Sequence, residues 1–145
     1  MSRFFNVAML QLSSDLDQQD LQARKAAQRA KIDRLLDTIL NIDPLVDLFV
    51  LPETVSSGYD IPNWEALAET IPGPTSDYFC AKARDLQTYI CPGSLIERDA
   101  QGRHTRNTAL LISPEGEIVL RYSKIFIPYP WEPATRGDAF PVYEI

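Results

Sequence analysis

Two apolar runs on either side of a long amphipathic stretch constrain the fold most strongly. The run Phe4–Leu12 predicts a strand that is covered on both faces, and Val46–Leu51 predicts a second buried strand. Between them, apolar side chains recur at a helical period from about Asp20 to Leu40. A strand, a long helix and a second strand predict a βαβ unit with parallel strands, and therefore an α/β fold.

Basic residues occupy the positions of this helix that the apolar stripe leaves free. We expect these basic side chains to face solvent. The residues are Arg24, Lys25, Lys31 and Arg34. The later predicted elements are shorter: a helix over Trp64–Thr70, a helix capped by Thr75 or Ser76 that ends near Leu86, a strand over Tyr89–Glu97, antiparallel strands over Thr108–Ile112 and Glu117–Tyr122, and the start of a strand at Val142–Ile145. The stretch between the last two strands is rich in proline and long enough to suggest a functional loop.

Composition excludes several classes of partner. The net charge of -6 and the pI of about 4.7 argue against a nucleic-acid partner, which requires clustered Lys and Arg. No apolar run is long enough to suggest a membrane span. Two cysteines and one histidine provide neither a disulfide framework nor a His-rich metal site. We therefore expect a cytoplasmic protein without a metal or a cofactor.

Three charged residues occupy positions that strand packing explains poorly. Glu53 follows the second apolar run directly after Pro52, Lys124 follows the last hairpin strand, and Glu132 comes eight residues after Lys124. In open α/β sheets, ligand sites collect beyond the carboxyl ends of strands. The alternative is that these residues are solvated loop ends that form at most one salt bridge.

The motifs around these residues resemble those of the nitrilase, or carbon-nitrogen hydrolase, superfamily. "VAMLQL" is similar to its opening strand, "DLFVLPETVSSGY" to the segment that carries its catalytic glutamate, "RNTALLISPEGEIVLRYSK" to the hairpin that leads to its lysine, and "PWEPATRGDAF" to the following loop. The resemblance implies that residues 1–145 form the N-terminal part of a four-layer α-β-β-α sandwich. It also implies a hydrolase that acts on a small amide or nitrile.

The resemblance assigns a role to four residues of this chain. Glu53 matches the general base, Lys124 the catalytic lysine, and Glu132 the second glutamate of the amidase-like branches. Tyr59 matches an aromatic residue that borders the substrate pocket. Two departures blur the branch: Phe126 stands where the family often has histidine, and Arg136-Gly137 replaces a usual Pro-Gly pair.

The nucleophile that the resemblance implies is a cysteine a few tens of residues beyond the lysine, and no residue of this chain matches it. Cys80 lies in a predicted helix, and its surroundings indicate packing. Cys91 lies in a predicted strand and is the better candidate, but Pro92 forbids a helical amide after it. A nucleophilic thiol needs an exposed setting that lowers its pKa, so we interpret both cysteines as structural.

Two functions from different classes therefore stay open. The chain is either the N-terminal part of a Glu-Lys-Cys hydrolase, inactive by itself, or a catalytically inactive relative that serves as a binding or scaffolding module. Half of the sandwich that the resemblance implies would leave apolar sheet surface uncovered, which favours association. We therefore expect a homo-oligomer.

Overall fold

The chain forms one mixed β-sheet with its two longer helices packed on one face. The structure is a computed structural model that describes residues 4–14, 16–128 and 130–145. In chain order, its elements are β1 (Val7–Met9), α1 (Leu21–Ile42), β2 (Leu48–Val50), α2 (Trp64–Leu67), α3 (Pro74–Leu86), β3 (Tyr89–Cys91), β4 (Ser94–Arg98), β5 (Thr105–Ile112) and β6 (Ile118–Ser123). The α/β class that the sequence predicts is confirmed.

Parallel pairing in the first half of the sheet gives way to antiparallel pairing in the second. Strand β1 pairs with β2 and β2 with β3 in parallel, with Phe49 opposite Ala8 and Ile90. Both β3 and β4 pair antiparallel with β5, and β6 pairs with β5 as well. Because the β6 pairing overlaps that of both β3 and β4, the latter two strands lie end to end along one side of β5.

The predicted strand Tyr89–Glu97 is divided by a break at Pro92 and Gly93. Gly93 has a φ of +68°, and a Cβ atom on it would lie 1.9 Å from the Pro52 carbonyl oxygen. Only glycine tolerates both this conformation and this close approach of two backbones. The break therefore brings the β3–β4 junction directly against the end of β2, where Glu53 begins its loop.

The two longer helices cover one face of the sheet through apolar side chains. Asp20 caps α1 by accepting hydrogen bonds from the backbone N–H groups of Gln22 and Ala23. Buried apolar side chains from both helices and from the strands form one hydrophobic core. Its members include Ile32, Leu36, Phe79, Ala83, Phe49, Ile90, Leu110 and Ile112. This arrangement provides two layers, a sheet and one layer of helices.

The polar face that the sequence predicts for α1 is only partly correct. Arg24 and Lys25 are buried rather than solvated. The Arg24 guanidinium pairs with Asp60 at 2.5 Å, and the Lys25 ammonium pairs with Glu69. Buried charges require such partners, and here the partners come from the loops that follow β2 and α2. The periodicity of the α1 sequence could not predict these ion pairs, because it carries no information about which loops pack against the helix.

Two other element boundaries differ from the prediction for local reasons. The helix from Trp64 ends at Leu67 rather than at Thr70, because the Glu69 backbone pairs with β4 instead. Helix α3 starts at Pro74 and is capped by Gly73, and the Ser76 hydroxyl accepts a hydrogen bond from the Gly73 N–H. Ser76 therefore stabilises the helix start from inside its first turn.

The sheet face opposite the helices carries apolar residues without a covering layer in the described part of the chain. We call it the open face; it includes Val7, Met9, Val50, Cys91, Ala109 and Leu111. Met9 is 80% exposed, so the prediction that β1 is covered on both faces is wrong here. Val142–Ile145 has no regular secondary structure and pairs with no strand, which corrects the predicted last strand. No described helix combines the length and hydropathy that crossing a membrane requires.

Gly93→Ala should destabilise the fold far more than Gly102→Ala does. Both glycines have a φ close to +67°, but a Cβ at Gly102 would have no neighbour within 4 Å. We expect a loss of about 1 kcal/mol at Gly102 from the left-handed backbone alone, and of about 2 to 4 kcal/mol at Gly93, where the clash adds to it. Urea denaturation of both variants measures the difference. Equal losses would show that the contact with Pro52 does not constrain the backbone.

Candidate active site

Glu53 stands at the start of a tight turn beyond the carboxyl end of β2. The next residue, Thr54, adopts a left-handed conformation with a φ of 49°, which is uncommon for a β-branched residue. Its backbone N–H donates to the Ser94 hydroxyl at 3.0 Å, and its hydroxyl donates to the Glu53 carbonyl at 2.8 Å. Strain of this kind persists only where neighbouring contacts hold it, so the Glu53 backbone is fixed from the β4 side.

Lys124 directly follows β6, at the same end of the sheet. Its backbone N–H donates to the Asn107 carbonyl at 2.8 Å, which extends the β5–β6 ladder by one step. Its own carbonyl accepts a hydrogen bond from the Gly137 N–H at 2.9 Å. Backbone hydrogen bonds on both sides hold the lysine, and its ammonium group lies at the tip of the side chain.

Glu132 lies in the loop after Lys124, and its side chain is fully buried. The loop turns back at Pro128, whose carbonyl accepts hydrogen bonds from the N–H groups of Trp131 and Glu132. Further along, the Thr135 N–H donates to the Thr105 carbonyl at 2.7 Å and ties the loop to β5. The loop that the sequence marks as functional thus carries a carboxylate back into the molecule.

The three charged groups meet at one point. The Lys124 Nζ atom lies 2.7 Å from Glu132 Oε2 and 3.0 Å from Glu53 Oε1. The three groups therefore converge at one end of the sheet. The alternative of solvated loop ends with at most one salt bridge is wrong, because Lys124 pairs with both glutamates. Because the Glu53 side chain is 48% exposed and that of Glu132 is not exposed at all, the two carboxylates differ sharply in their access to solvent.

The electrostatics of the cluster favour a permanently charged pair of Lys124 and Glu132. Burial by itself would raise the pKa of the Glu132 carboxyl, but hydrogen bonds from Lys124, Asn107 and Tyr59 outweigh it and lower the pKa. Burial likewise works against the Lys124 ammonium, yet hydrogen bonds to Glu132 and Glu53 raise its pKa above the usual value. Both residues are therefore ionised at neutral pH.

Tyr59 contacts the cluster through Glu132. Its hydroxyl donates to Glu132 Oε2 at 2.9 Å, and its ring packs edge-on against Trp64 with ring centroids 6.1 Å apart. Burial and the adjacent carboxylate raise the pKa of Tyr59 to about 12, so the phenol stays a hydrogen-bond donor at neutral pH. Tyr59 therefore contributes to the site by donating a hydrogen bond that stabilises the Glu132 carboxylate.

The loop that carries Tyr59 is clamped by the buried Arg24. The guanidinium binds the Asp60 carboxylate and also donates to the backbone carbonyls of Leu16, Gln18 and Ser57. One side chain of α1 thus joins the segment before the helix to the loop after Glu53. This clamp explains why a buried arginine, rather than an apolar residue, occupies that position.

Asn107 is the site residue that the sequence analysis did not single out. It is buried on β5, and its Nδ2 atom donates to Glu53 Oε1 at 2.5 Å and to Glu132 Oε1 at 3.0 Å. The sequence carries no clear signal for it, since Asn107 directly precedes the apolar stretch "TALLI" and follows the polar residues His104, Thr105 and Arg106. A side chain that bridges two carboxylates from different loops cannot be recognised from spacing alone.

A cavity of about 210 Å³ opens beside Glu53 and Lys124. Its other lining residues are Gly93, Ser94, Asn107, Ala109 and Tyr122. Asn107 and Ala109 alternate along β5 with the core residue Leu110, so the cavity lies on the open face of the sheet. Among the residues that the structure describes, no three His, Cys, Asp or Glu side chains gather closely enough to hold a metal ion.

Comparison with known proteins identifies the family. A family model described as carbon-nitrogen hydrolase matches residues 6–143, nearly the whole chain. The chain belongs to the carbon-nitrogen hydrolase family.

The relatives that this chain matches are longer than the chain itself. A formamidase from Bacillus thuringiensis (strain Al Hakam) is 31% identical over 136 residues, which are 92% of this chain and 38% of the formamidase. Saccharomyces cerevisiae Nit3, a member of branch 10 of the nitrilase superfamily, superposes with a TM-score of 0.78 at 21% identity and covers 93% of this chain and 49% of Nit3. A carbon-nitrogen hydrolase from Helicobacter pylori G27 superposes with a TM-score of 0.75 at 24% identity, over 92% of this chain and 45% of that protein. The chain thus spans about two-fifths to one-half of the length of these three relatives.

Neither cysteine has the environment of an activated thiol. Cys80 lies in α3 and Cys91 in β3, and both are free thiols. Burial raises the pKa of both, and the one backbone hydrogen bond to Cys91 only partly opposes this. Raised pKa values leave both thiols protonated at neutral pH, in agreement with a structural role.

Glu132→Gln should destabilise the chain, and the loss should depend on pH. Glu132 has a lowered pKa in the folded chain, so its stabilising contribution is complete above the unfolded-state pKa of about 4.3 and disappears as the pH falls through the folded-state value. We expect the variant to lose about 2 to 4 kcal/mol at pH 7 and to approach the parent protein in acid. Urea denaturation from pH 3 to pH 8 measures both.

Glu117→Gln is the matched control, because Glu117 is an exposed glutamate on the β5–β6 turn. It should leave the free energy of unfolding nearly unchanged at every pH. A difference between the parent and Glu132→Gln that grows on acidification would contradict the ion cluster.

Proposed function

We propose that this chain provides the general base and the oxyanion-binding cation of a hydrolase that cleaves the carbon–nitrogen bond of a small amide. One observation carries the proposal: the Lys124 ammonium is held between two carboxylates of unequal exposure beside a cavity. A purely structural ion pair would have no reason to leave one of its partners half exposed at a cavity, since exposed pairs add little stability.

Glu53 has the properties that a general base requires. Its carboxylate lines the cavity and is accessible to solvent, whereas the Glu132 carboxylate is enclosed and engaged by three donors. A base must reach the proton that it accepts. The two glutamates therefore divide the work: Glu53 exchanges protons, and Glu132 holds Lys124.

Lys124 has the properties of an electrostatic stabiliser. Its pKa is raised, so it does not serve as a proton acceptor near neutral pH. A fixed positive charge at the cavity wall stabilises negative charge that develops on a carbonyl oxygen, and it does so without reorganisation during the reaction. Tyr59 supports this arrangement through Glu132.

The proposed reaction proceeds through a thioester. Glu53 accepts the proton of a cysteine thiol, and the sulfur attacks the amide carbon while Lys124 stabilises the oxyanion. The C–N bond breaks, Glu53 returns its proton to the departing nitrogen, and ammonia or an amine leaves. Glu53 then takes a proton from water, the hydroxide oxygen attacks the thioester, and the proton returns to the sulfur as the acid product departs.

The nucleophile in this proposal is a cysteine outside residues 1–145, in the same polypeptide or in another. Cys80 and Cys91 both have raised pKa values and belong to packed elements. We therefore propose that the 145 residues are the part of the catalytic domain that precedes the nucleophile, and that they have no hydrolase activity by themselves.

A small amide is the substrate class that the site favours over a nitrile. The cavity volume of about 210 Å³ admits only a small molecule. The formamidase relatives share 30–31% identity with this chain. In addition, Glu132, which resembles the second glutamate of the amidase-like branches, forms an ion pair with Lys124. No metal or cofactor enters the proposed chemistry.

We also propose a cytoplasmic homo-oligomer. Two free thiols suit a reducing compartment, and the exposed apolar residues of the open face favour association. A monomer in sedimentation experiments would contradict the proposed association. The second candidate function, a catalytically inactive binding module, is favoured by the absence of an activated thiol within residues 1–145.

Glu53→Gln decides between the hydrolase and the inactive module. In a full-length hydrolase that carries this segment, we expect kcat/KM for a small amide to fall by about 1,000-fold or more, because the amide keeps the shape of the side chain but accepts no proton. The thermal midpoint should stay within about 2 °C of the parent, since Glu53 is half exposed. Steady-state kinetics and calorimetry measure the two effects.

Glu65→Gln is the control for this experiment, because Glu65 is also an exposed glutamate in an ion pair, with Arg98. It should leave kcat/KM unchanged. A parent protein without amide turnover would favour the inactive module. A Glu53→Gln variant that keeps more than a tenth of the parent's activity would instead contradict the role of Glu53 as the base.

A further inference from the structure

The side chain of Asn107 connects the two carboxylates of the cluster. Its Nδ2 atom carries two hydrogens and makes two hydrogen bonds, at 2.5 Å to Glu53 Oε1 and at 3.0 Å to Glu132 Oε1. The orientation of the amide is fixed by chemistry, because the opposite rotamer would direct its carbonyl oxygen at two carboxylates. Asn107 therefore acts as a double donor.

A neutral double donor solves the charge problem of this cluster. Two carboxylates share the single positive charge of Lys124, so their mutual repulsion is only partly offset. A second buried cation would have to be desolvated at considerable cost. An amide supplies two hydrogen bonds without any net charge and keeps Glu53 close to Glu132.

The two donors to Glu53 both use the same oxygen. Lys124 Nζ lies 3.0 Å from Glu53 Oε1, and Asn107 Nδ2 lies 2.5 Å from the same atom. Within the described residues, these are the side-chain hydrogen bonds that the Glu53 carboxylate accepts. Oε1 is thereby saturated, and Oε2 is the oxygen that is free to receive a proton.

We propose that Asn107 is a positioning residue that locks Oε1 of Glu53 onto the anchored Lys124–Glu132 pair and so presents Oε2 to the nucleophile. This inference rests on the proposed function, since it assigns the oxygen that acts as base. Glu53 needs such a lock because its side chain is half exposed, and the side chains that hold its carboxylate, Asn107 and Lys124, come from outside its own turn. An unlocked carboxylate would spend much of its time away from the productive geometry, and a misplacement of about 1 Å can cost about 100-fold in rate.

The first test is Asn107→Ala in the full-length hydrolase that carries this segment. We expect kcat to fall by about 100-fold while KM changes by less than about threefold, because Asn107 acts through Glu53 rather than through substrate binding. Asn107→Asp is the second variant: it keeps the shape and replaces the donor atom Nδ2 with an acceptor oxygen, so both hydrogen bonds are lost. Its kcat should fall at least as far, and should fall further as the pH rises and a third carboxylate ionises beside the other two.

Thr108→Val is the matched control for a merely structural effect. Thr108 is the next residue on β5, is fully buried on the opposite face, and donates to the buried carboxylate of Glu97 at 2.6 Å. Its loss should lower stability but leave kcat unchanged. If Thr108→Val lowers kcat as strongly as Asn107→Ala, the effect of Asn107 is structural and the proposal is wrong.

The outcomes also separate this inference from the proposed function. If Glu53→Gln abolishes turnover but both Asn107 variants keep kcat within about threefold of the parent, Glu53 is the base and the positioning role is wrong. If Glu53→Gln itself retains activity, the proposed function fails first. In ¹⁵N NMR spectra of the folded protein, the side-chain amide signal of Asn107 should shift in both Glu53→Gln and Glu132→Gln. A signal that moves in neither variant would contradict the bridge without reference to activity.

Discussion

The enclosed carboxylate of Glu132 is the constraint on which the rest of the site depends. A charge that is removed from water must be matched by partners, and three donors from three different segments meet it: Tyr59, Asn107 and Lys124. The long loop after β6, the hairpin strand β5 and the turn after β2 are therefore held in register by one group. Glu53 joins the cluster from outside and keeps its access to the cavity.

Backbone contacts at the end of the sheet fix the position of the second carboxylate, that of Glu53. The glycine at position 93 lets the β3–β4 junction contact the end of β2, and Ser94 then accepts the N–H of the strained Thr54. Pro52 restricts the backbone before Glu53, and the hydrogen bond of Thr54 to Ser94 restricts the backbone after it, so the freedom that remains to this residue lies in its side chain. Asn107 restrains that side chain in turn.

The sequence predicts the framework well because its signals are local. The βαβ unit and the β5–β6 hairpin follow from apolar periodicity and turn signals. That Glu53, Lys124 and Glu132 share one site was implied by the resemblance to the carbon-nitrogen hydrolase family, since strand-end placement alone left them open as solvated loop ends. The polar contacts between distant segments were missed. The burial of Arg24 depends on Asp60, 36 positions away, and the role of Asn107 depends on two loops that approach it from either side. Periodicity carries no information about such partners, whereas the Pro-Gly pair that divides the predicted third strand was a readable turn signal.

The division of labour between the two glutamates requires that Lys124 is a permanent cation and never the base. The most direct test is a titration of the Lys124 Cε and Nζ resonances by NMR in the folded protein. The cluster predicts that Lys124 titrates above the ordinary lysine value of 10.5, and that Glu132→Gln lowers this pKa because the stronger of its two ion pairs is lost. A Lys124 pKa below 10.5 in the parent protein, unchanged in Glu132→Gln, would contradict the account and would make the lysine itself a candidate base.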